Sequence, residues 1–148
     1  MDERFKVLVI DDDQSIRTTM AAILENEGYL VETAKDGKEA IDKSNADLYR
    51  VALIDFRLPD MEGTELLTAL KETVPSMVKI IVTGYPSLPN AIEAVKRGAD
   101  DYLVKPFKME NVLDTIKQRL KKQQEERRYS EEKVKEFIET RAREGDLE

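Results

Sequence analysis

Five short runs rich in β-branched and large apolar residues recur along the first 104 residues. They are Lys6–Ile10, Tyr29–Thr33, Val51–Ile54, Val78–Val82 and Tyr102–Val104. The first, third and fourth are almost wholly apolar, as strands covered on both faces are. Helical spacing appears between the runs. Ile16, Met20, Ile23 and Leu24 keep it after the first run, Leu66, Leu67 and Leu70 after the third, and Ala91, Ile92 and Val95 after the fourth. Val112, Leu113, Ile116 and Leu120 form a last apolar face. Gly28 and Gly98 follow helical stretches, where a residue able to adopt positive φ ends a helix. The alternation predicts (βα)5, a doubly wound parallel sheet with helices on both faces. Right-handed crossovers leave few topologies for five such units. The common strand order is 2-1-3-4-5, with its switch point between strands 1 and 3.

Composition narrows the chemistry. At 148 residues the chain suits one domain. A chain of this size buries about 68–70% of its unfolded surface, enough for a full core. There is no cysteine and no histidine. Disulfides, thiolate zinc sites, histidine bases and Ser-His-Asp triads are therefore excluded. The net charge is −7, from 31 acids and 24 bases, so a global basic footprint for nucleic acid is missing. No run approaches the ~20 apolar residues of a membrane span. The start, Met1-Asp2-Glu3-Arg4, lacks the layout of a signal peptide. A cytoplasmic protein is expected, with neither nucleic acid nor membrane as a direct partner of this chain.

Ligands of open parallel sheets sit beyond the carboxyl ends of the strands. Asp11, Asp12 and Asp13 follow strand 1, Asp55 follows strand 3, Thr83 and Gly84 follow strand 4, and Lys105 and Pro106 follow strand 5. Asp13 suits the N-cap of the first helix. Capping does not account for Asp11 and Asp12 at the end of a buried strand, with Asp55 beside them. Clustered carboxylates repel, so one must protonate or a cation must join them. Magnesium suits a few carboxylates plus waters and a phosphate. Taken singly, Thr83 reads as a strand-end hydroxyl, Lys105 as a surface cation, and Tyr102 equally well as core filler. Around Asp55, a hydroxyl and an ammonium suit a phosphoryl group.

These residues resemble a known family. Segments Val7–Asp13, Ala52–Gly63, Ile80–Gly84 and Asp101–Phe107 match, in order and spacing, the receiver domain of response regulators. That domain is the phospho-acceptor half of two-component signalling, and the receivers of nitrogen-regulation-type activators are similar to this chain. The resemblance spans roughly residues 4–122. It implies a flavodoxin-like fold and a phosphorelay function. Asp55 would be the phospho-acceptor, taking a phosphoryl group from a phosphohistidine on a sensor histidine kinase. Asp11, Asp12, Asp55 and the backbone carbonyl of Arg57 would hold Mg²⁺. Lys105, joined to Pro106 by a cis bond, would pair with a phosphoryl oxygen. Thr83 and Tyr102 would form a switch pair that alters the surface of helix 4, strand 5 and helix 5 for a downstream effector. Catalysis would be limited to the domain's own phosphorylation and dephosphorylation. Arg57 and Tyr85 are bulky at positions that influence water access in this family, which implies slow self-dephosphorylation.

Three rivals are weaker. Asp11-x-Asp13-x-Ser15 resembles the nucleophile motif of haloacid-dehalogenase-type phosphatases, with Asp100 and Asp101 as further acids. Those two precede strand 5, at the wrong end of the sheet, and Asp55 would have no role. A flavin binder needs small and hydroxyl residues after strand 1, where three aspartates would repel a phosphate. A pure scaffold would leave the acids unused and would not bind magnesium.

The tail has a different composition. Residues 121–148 carry nine acids and eight bases, too little apolar content for a core of their own. The boundaries read as a receiver domain over 1–122 and a charged helical extension over 123–148. From Lys108 to Arg143 there is no glycine or proline, so helix 5 is expected to extend well past residue 120. A heptad frame catches Leu113, Ile116, Leu120, Val134 and Phe137 but also Gln123, Arg127 and Ser130. That broken seam leaves a coiled coil, a separate helix capped by Ser130, and a solvated charged helix as alternatives. The functional readings are a homodimer, through this helix or the α4-β5-α5 face, docking to a partner, and a receiver fragment of a larger transcription activator.

Overall fold

The computed structural model describes residues 5–73 and 76–145, so the acidic Met1–Arg4 start lies outside the described residues. The order is β1 (Lys6–Ile10), α1 (Gln14–Asn26), β2 (Leu30–Ala34), α2 (Gly37–Ala46), β3 (Val51–Asp55), α3 (Gly63–Thr73), β4 (Val78–Thr83), α4 (Leu88–Lys96), β5 (Asp101–Val104) and α5 (Met109–Arg143). All strand pairs are parallel, in the order β2-β1-β3-β4-β5. The expected (βα)5 sheet and strand order are both found.

Strand alternation divides the core. Leu8, Ile10, Ala52, Ile54 and Ile81 join a cluster with Ala40 of α2, Leu66, Leu67 and Leu70 of α3, and Ala94 of α4. Val7, Val9, Leu53, Ile80 and Val82 are buried on the opposite face of the sheet, and Met20 and Leu24 of α1 are buried outside that cluster. Three helices are capped by short polar side chains. Asp13 accepts from the Ile16 N–H at 3.1 Å, Asp36 from Glu39 at 2.8 Å, and Ser87 from Asn90 at 3.2 Å. Gly28 and Gly98 take φ of 98° and 103° at the ends of α1 and α4, as their positions suggested.

Several boundaries and faces differ from the sequence reading. β2 starts at Leu30 because the Tyr29 N–H is used by the Leu24 carbonyl at the end of α1, and it runs on to Ala34, opposite Ile10. β5 starts at Asp101, which pairs with Ile80. In α4 the buried residue is Ala94, while Ile92 and Val95 are exposed at 45% and 69%. A small side chain lets the helix lie close to its neighbours and turns the large apolar residues to solvent.

By compactness the chain divides into two units, Met1–Thr115 and Ile116–Glu148, a division that falls inside α5. That helix is continuous through Ser130, so a separate helix capped there is ruled out. Without glycine or proline nothing interrupts it. In its second half Tyr129, Val134, Phe137 and Ile138 are all exposed. Among the described residues no helix is long and apolar enough to cross a membrane.

Candidate functional site

Parallel pairing brings the carboxyl ends of four strands together. Ile10 pairs with Ile54, Asp55 with Val82, and Thr83 with Val104. Each strand therefore delivers its next residues to one edge. The Lys105 N–H donates to the Thr83 carbonyl at 2.7 Å, which carries the β5 end past the ladder and fixes Lys105 beside β4. The Lys105–Pro106 bond is cis, as the resemblance implied.

Asp11, Asp12 and Asp55 each place a carboxylate oxygen within 4.8 Å of the others. Asp11 is 4% exposed and the Asp55 side chain 12%, while Asp12 is exposed. The Lys105 ammonium lies 3.3 Å from Asp11 Oδ2 and 3.6 Å from Asp55 Oδ1. Burial pushes the Asp55 carboxyl up from 3.8 to about 6, and the Asp11 charge adds to the rise. Lys105 and the Arg57 backbone N–H oppose it, and Asp12 adds a smaller upward push. One ammonium therefore does not neutralise three acids. The unbalanced negative charge and the all-oxygen donor set fit a hard divalent cation.

Thr83 is fully buried, and its hydroxyl oxygen accepts from the Tyr85 N–H at 2.9 Å. Tyr102 is half-buried against the core cluster. Its hydroxyl is enclosed and, among the described residues, has no hydrogen-bond partner. Arg57 lies over the Tyr85 ring, its guanidinium carbon 4.1 Å from the centroid. This cation–π stack ties the β3–α3 loop to the β4–α4 loop.

Asp13 stands apart from the carboxylate group, its side chain engaged in capping α1. A phosphatase reading that requires Asp13 as a second catalytic acid therefore loses its geometry. Asp100 is also engaged elsewhere, its carboxylate accepting from the Lys79 N–H near the start of β4. Sequence reasoning missed two polar contributors. The Arg17 guanidinium donates to the Asp11 carbonyl at 2.7 Å and steadies the β1–α1 turn. Asp60, at the tip of the β3–α3 loop, accepts from two N–H groups of α2. Arg17 lies one helical turn after Asp13, which was its only available signal. Asp60 carried none, because its partners are more than twenty residues away.

Comparison with known proteins places the chain in a family. Residues 7–117 match the response regulator receiver domain family. The chain belongs to that family, which makes it a receiver of two-component signalling rather than a member of an enzyme family. Over 118 residues it is 37% identical to the transcriptional regulatory protein ZraR of Klebsiella oxytoca, a match covering 80% of this chain and 27% of ZraR. It thus spans about a quarter of that relative's length. The crystal structure of a CheY-like receiver domain protein from Methanospirillum hungatei JF-1 superimposes with a TM-score of 0.82 at 42% identity, covering 84% of this chain and 99% of that one. A response regulator of Burkholderia pseudomallei, solved with a phosphorylated aspartic acid and a calcium ion, gives a TM-score of 0.74 at 28% identity, covering 96% and 86%.

Proposed function

We propose that this receiver is a phosphorylation switch in which Asp55 is the phospho-acceptor and Mg²⁺ the working cation. The observation that carries the reading is a buried aspartate at a strand end, held between two further acids and one lysine. Asp11, Asp12, Asp55 and the Arg57 carbonyl would hold the ion, which when bound supplies positive charge to the phosphoryl oxygens. An Asp55 oxygen attacks phosphorus, the O–P bond forms, and the P–N bond of a phosphohistidine breaks with its electron pair returning to the imidazole. The chain has no histidine of its own, and a sensor histidine kinase would supply the phosphohistidine donor. Lys105 offsets the charge of the transferred group, and the Thr83 hydroxyl turns from Tyr85 to donate to one of its oxygens. Such transfer depends on positioning and charge more than on acid–base groups. The domain catalyses only its own phosphorylation and dephosphorylation.

An apolar groove of about 560 Å³, lined in part by Ile16, Met20, Pro106 and Phe107, opens beside Lys105 and suits the approach of the donor protein. The output follows from Thr83 and Tyr102. Movement of the Thr83 hydroxyl alters the space behind it, and Tyr102, with its enclosed hydroxyl, is poised to repack. This biases the exposed α4–β5 surface and α5 toward a downstream effector or a second copy. Residues 1–122 would form the working receiver, with 123–148 as a helical extension, either alone or as the input part of a larger activator in the cytoplasm. The Arg57–Tyr85 stack shields the acyl phosphate from water. Its lifetime should be several-fold longer in the parent than in an Arg57→Asn/Tyr85→Glu variant, measured by loss of the mass adduct.

The experiment is intact mass after incubation with acetyl phosphate. One added phosphoryl group that requires both Mg²⁺ and Asp55 is expected. No adduct together with no beryllofluoride binding would remove the reading.

A further inference from the structure

The loop that carries the proposed metal-binding carbonyl is fastened at its far end. Near its base it closes on itself. Gly63 N–H donates to the Phe56 carbonyl at 2.6 Å, Leu58 N–H to the Met61 carbonyl at 3.1 Å, and Arg57 bridges to Glu62. A Cβ at Gly63 would lie 2.5 Å from the Asp55 carbonyl oxygen, so only glycine allows this closure. At its tip Asp60 reaches across to another element. Its Oδ1 accepts from the Gly37 N–H and its Oδ2 from the Lys38 N–H, both at 2.9 Å.

Those two groups are the first unpaired donors of α2. Asp36 takes the third, from Glu39. The positive end of α2 is thus occupied by two of the chain's own carboxylates. Met61 completes the contact, because its Sδ would lie 2.4 Å from a Cβ at Gly37 and glycine leaves it room. The Asp60 side chain is otherwise exposed, yet both its oxygens are committed to the backbone of a helix more than twenty residues away. The hydrogen bonds hold its carboxyl below the usual range.

We propose that Asp60 is a positioning residue for the phosphorylation site, clamping the 55–63 loop to α2 so that the Arg57 carbonyl and N–H stay aimed at the cation and at Asp55. The inference rests on the metal-binding reading above and deepens it. Only two residues, Leu58 and Pro59, separate Arg57 from Asp60, too few for a shift at the tip to be absorbed before it reaches Arg57. The clamp also couples α2 to the site, because displacing α2 pulls on the same loop.

The test uses the full chain, with Mg²⁺ as the probe followed by titration calorimetry, and amide exchange followed in the metal-free protein. Asp60→Ala should weaken Mg²⁺ binding about tenfold, the scale on which supporting contacts to metal ligands act. Amides 57–62 should exchange faster while those of β1 and β3 do not change. Asp60→Asn, which keeps one acceptor oxygen, should lose less. Phosphorylation by acetyl phosphate should slow at low Mg²⁺ and recover at high Mg²⁺. Lys38→Pro removes one donor from the α2 side within a helical turn that tolerates proline. It should weaken Mg²⁺ binding in the same direction, and it carries the test where Asp60→Ala does not fold. Wild-type Mg²⁺ affinity and wild-type loop exchange in folded variants would overturn the clamp. Absence of Mg²⁺ binding in the parent would instead remove the metal reading, and the exchange data would still decide whether Asp60 holds the loop.

Discussion

The carboxyl edge of the sheet and the second half of α5 are both dense in charge, and they behave in opposite ways. At the edge, three acids and one lysine come from three strand ends and are held within a few ångströms in a partly dry setting. There burial moves the Asp55 carboxyl to about 6. Residues 121–148 carry nine acids and eight bases, most of them on α5. The described charged residues of that stretch are exposed to solvent. Exposed pairs on a helix are worth only about 0.3–0.5 kcal/mol each and are screened by salt. Charge acquires chemistry where a scaffold desolvates it and fixes its neighbours, not where it is abundant.

Substitutions should widen that difference or erase it. Asp55→Asn should abolish the phosphoryl adduct altogether, read by intact mass. A chain ended at Lys122 should keep the adduct at the parent rate, and a tail needed for phosphorylation would collapse the distinction. Leu67→Ala, in the cluster beneath the edge, should cost about 2–5 kcal/mol in urea unfolding. Paired Val134→Ser and Phe137→Ser, on the exposed stripe, should each change stability by less than about 0.5 kcal/mol. A large loss from either would mean that the stripe is covered in solution.

A smaller effect concerns pH. In the metal-free protein Asp55 titrates near 6 when folded and near 3.8 when unfolded. The folded state therefore binds more protons between those values, and stability falls as pH rises through that window. The Asp55 contribution is complete below 3.8 and lost above about 6. Asp55→Asn should stabilise the metal-free protein more at pH 7.5 than at pH 4.5, seen in the difference of urea midpoints. An equal effect at both values would show that Asp55 titrates normally. Saturating Mg²⁺ should reduce the pH dependence, since the ion competes with the proton.

Much of this was legible in the chain. Three nearly continuous apolar runs required strands covered on both faces, and the intervening periodicity required helices. Once parallel order 2-1-3-4-5 is reached, Asp11, Asp12, Asp55, Thr83 and Lys105 must meet at one edge, because each directly follows a strand. The inward face of α4 was not legible. Periodicity marked Ile92 and Val95, but it cannot say whether an apolar stripe faces the sheet or a partner, and Ala94 took the inner place. The continuity of α5 past Ser130 was also undecided, because a capping residue inside a run of strong helix formers satisfies both alternatives.

Sequence by itself determined the alternation of elements, the absence of histidine and cysteine chemistry, and the set of residues able to act on a phosphoryl group. Those follow from local periodicity and from which side chains exist. Tertiary structure alone decided how far Asp55 is desolvated, that Arg57 stacks on Tyr85, and that Asp60 closes on the first turn of α2. Each depends on groups distant in the chain meeting at a few ångströms, where hydrogen-bond geometry and dielectric environment set the energy and no local pattern records the meeting.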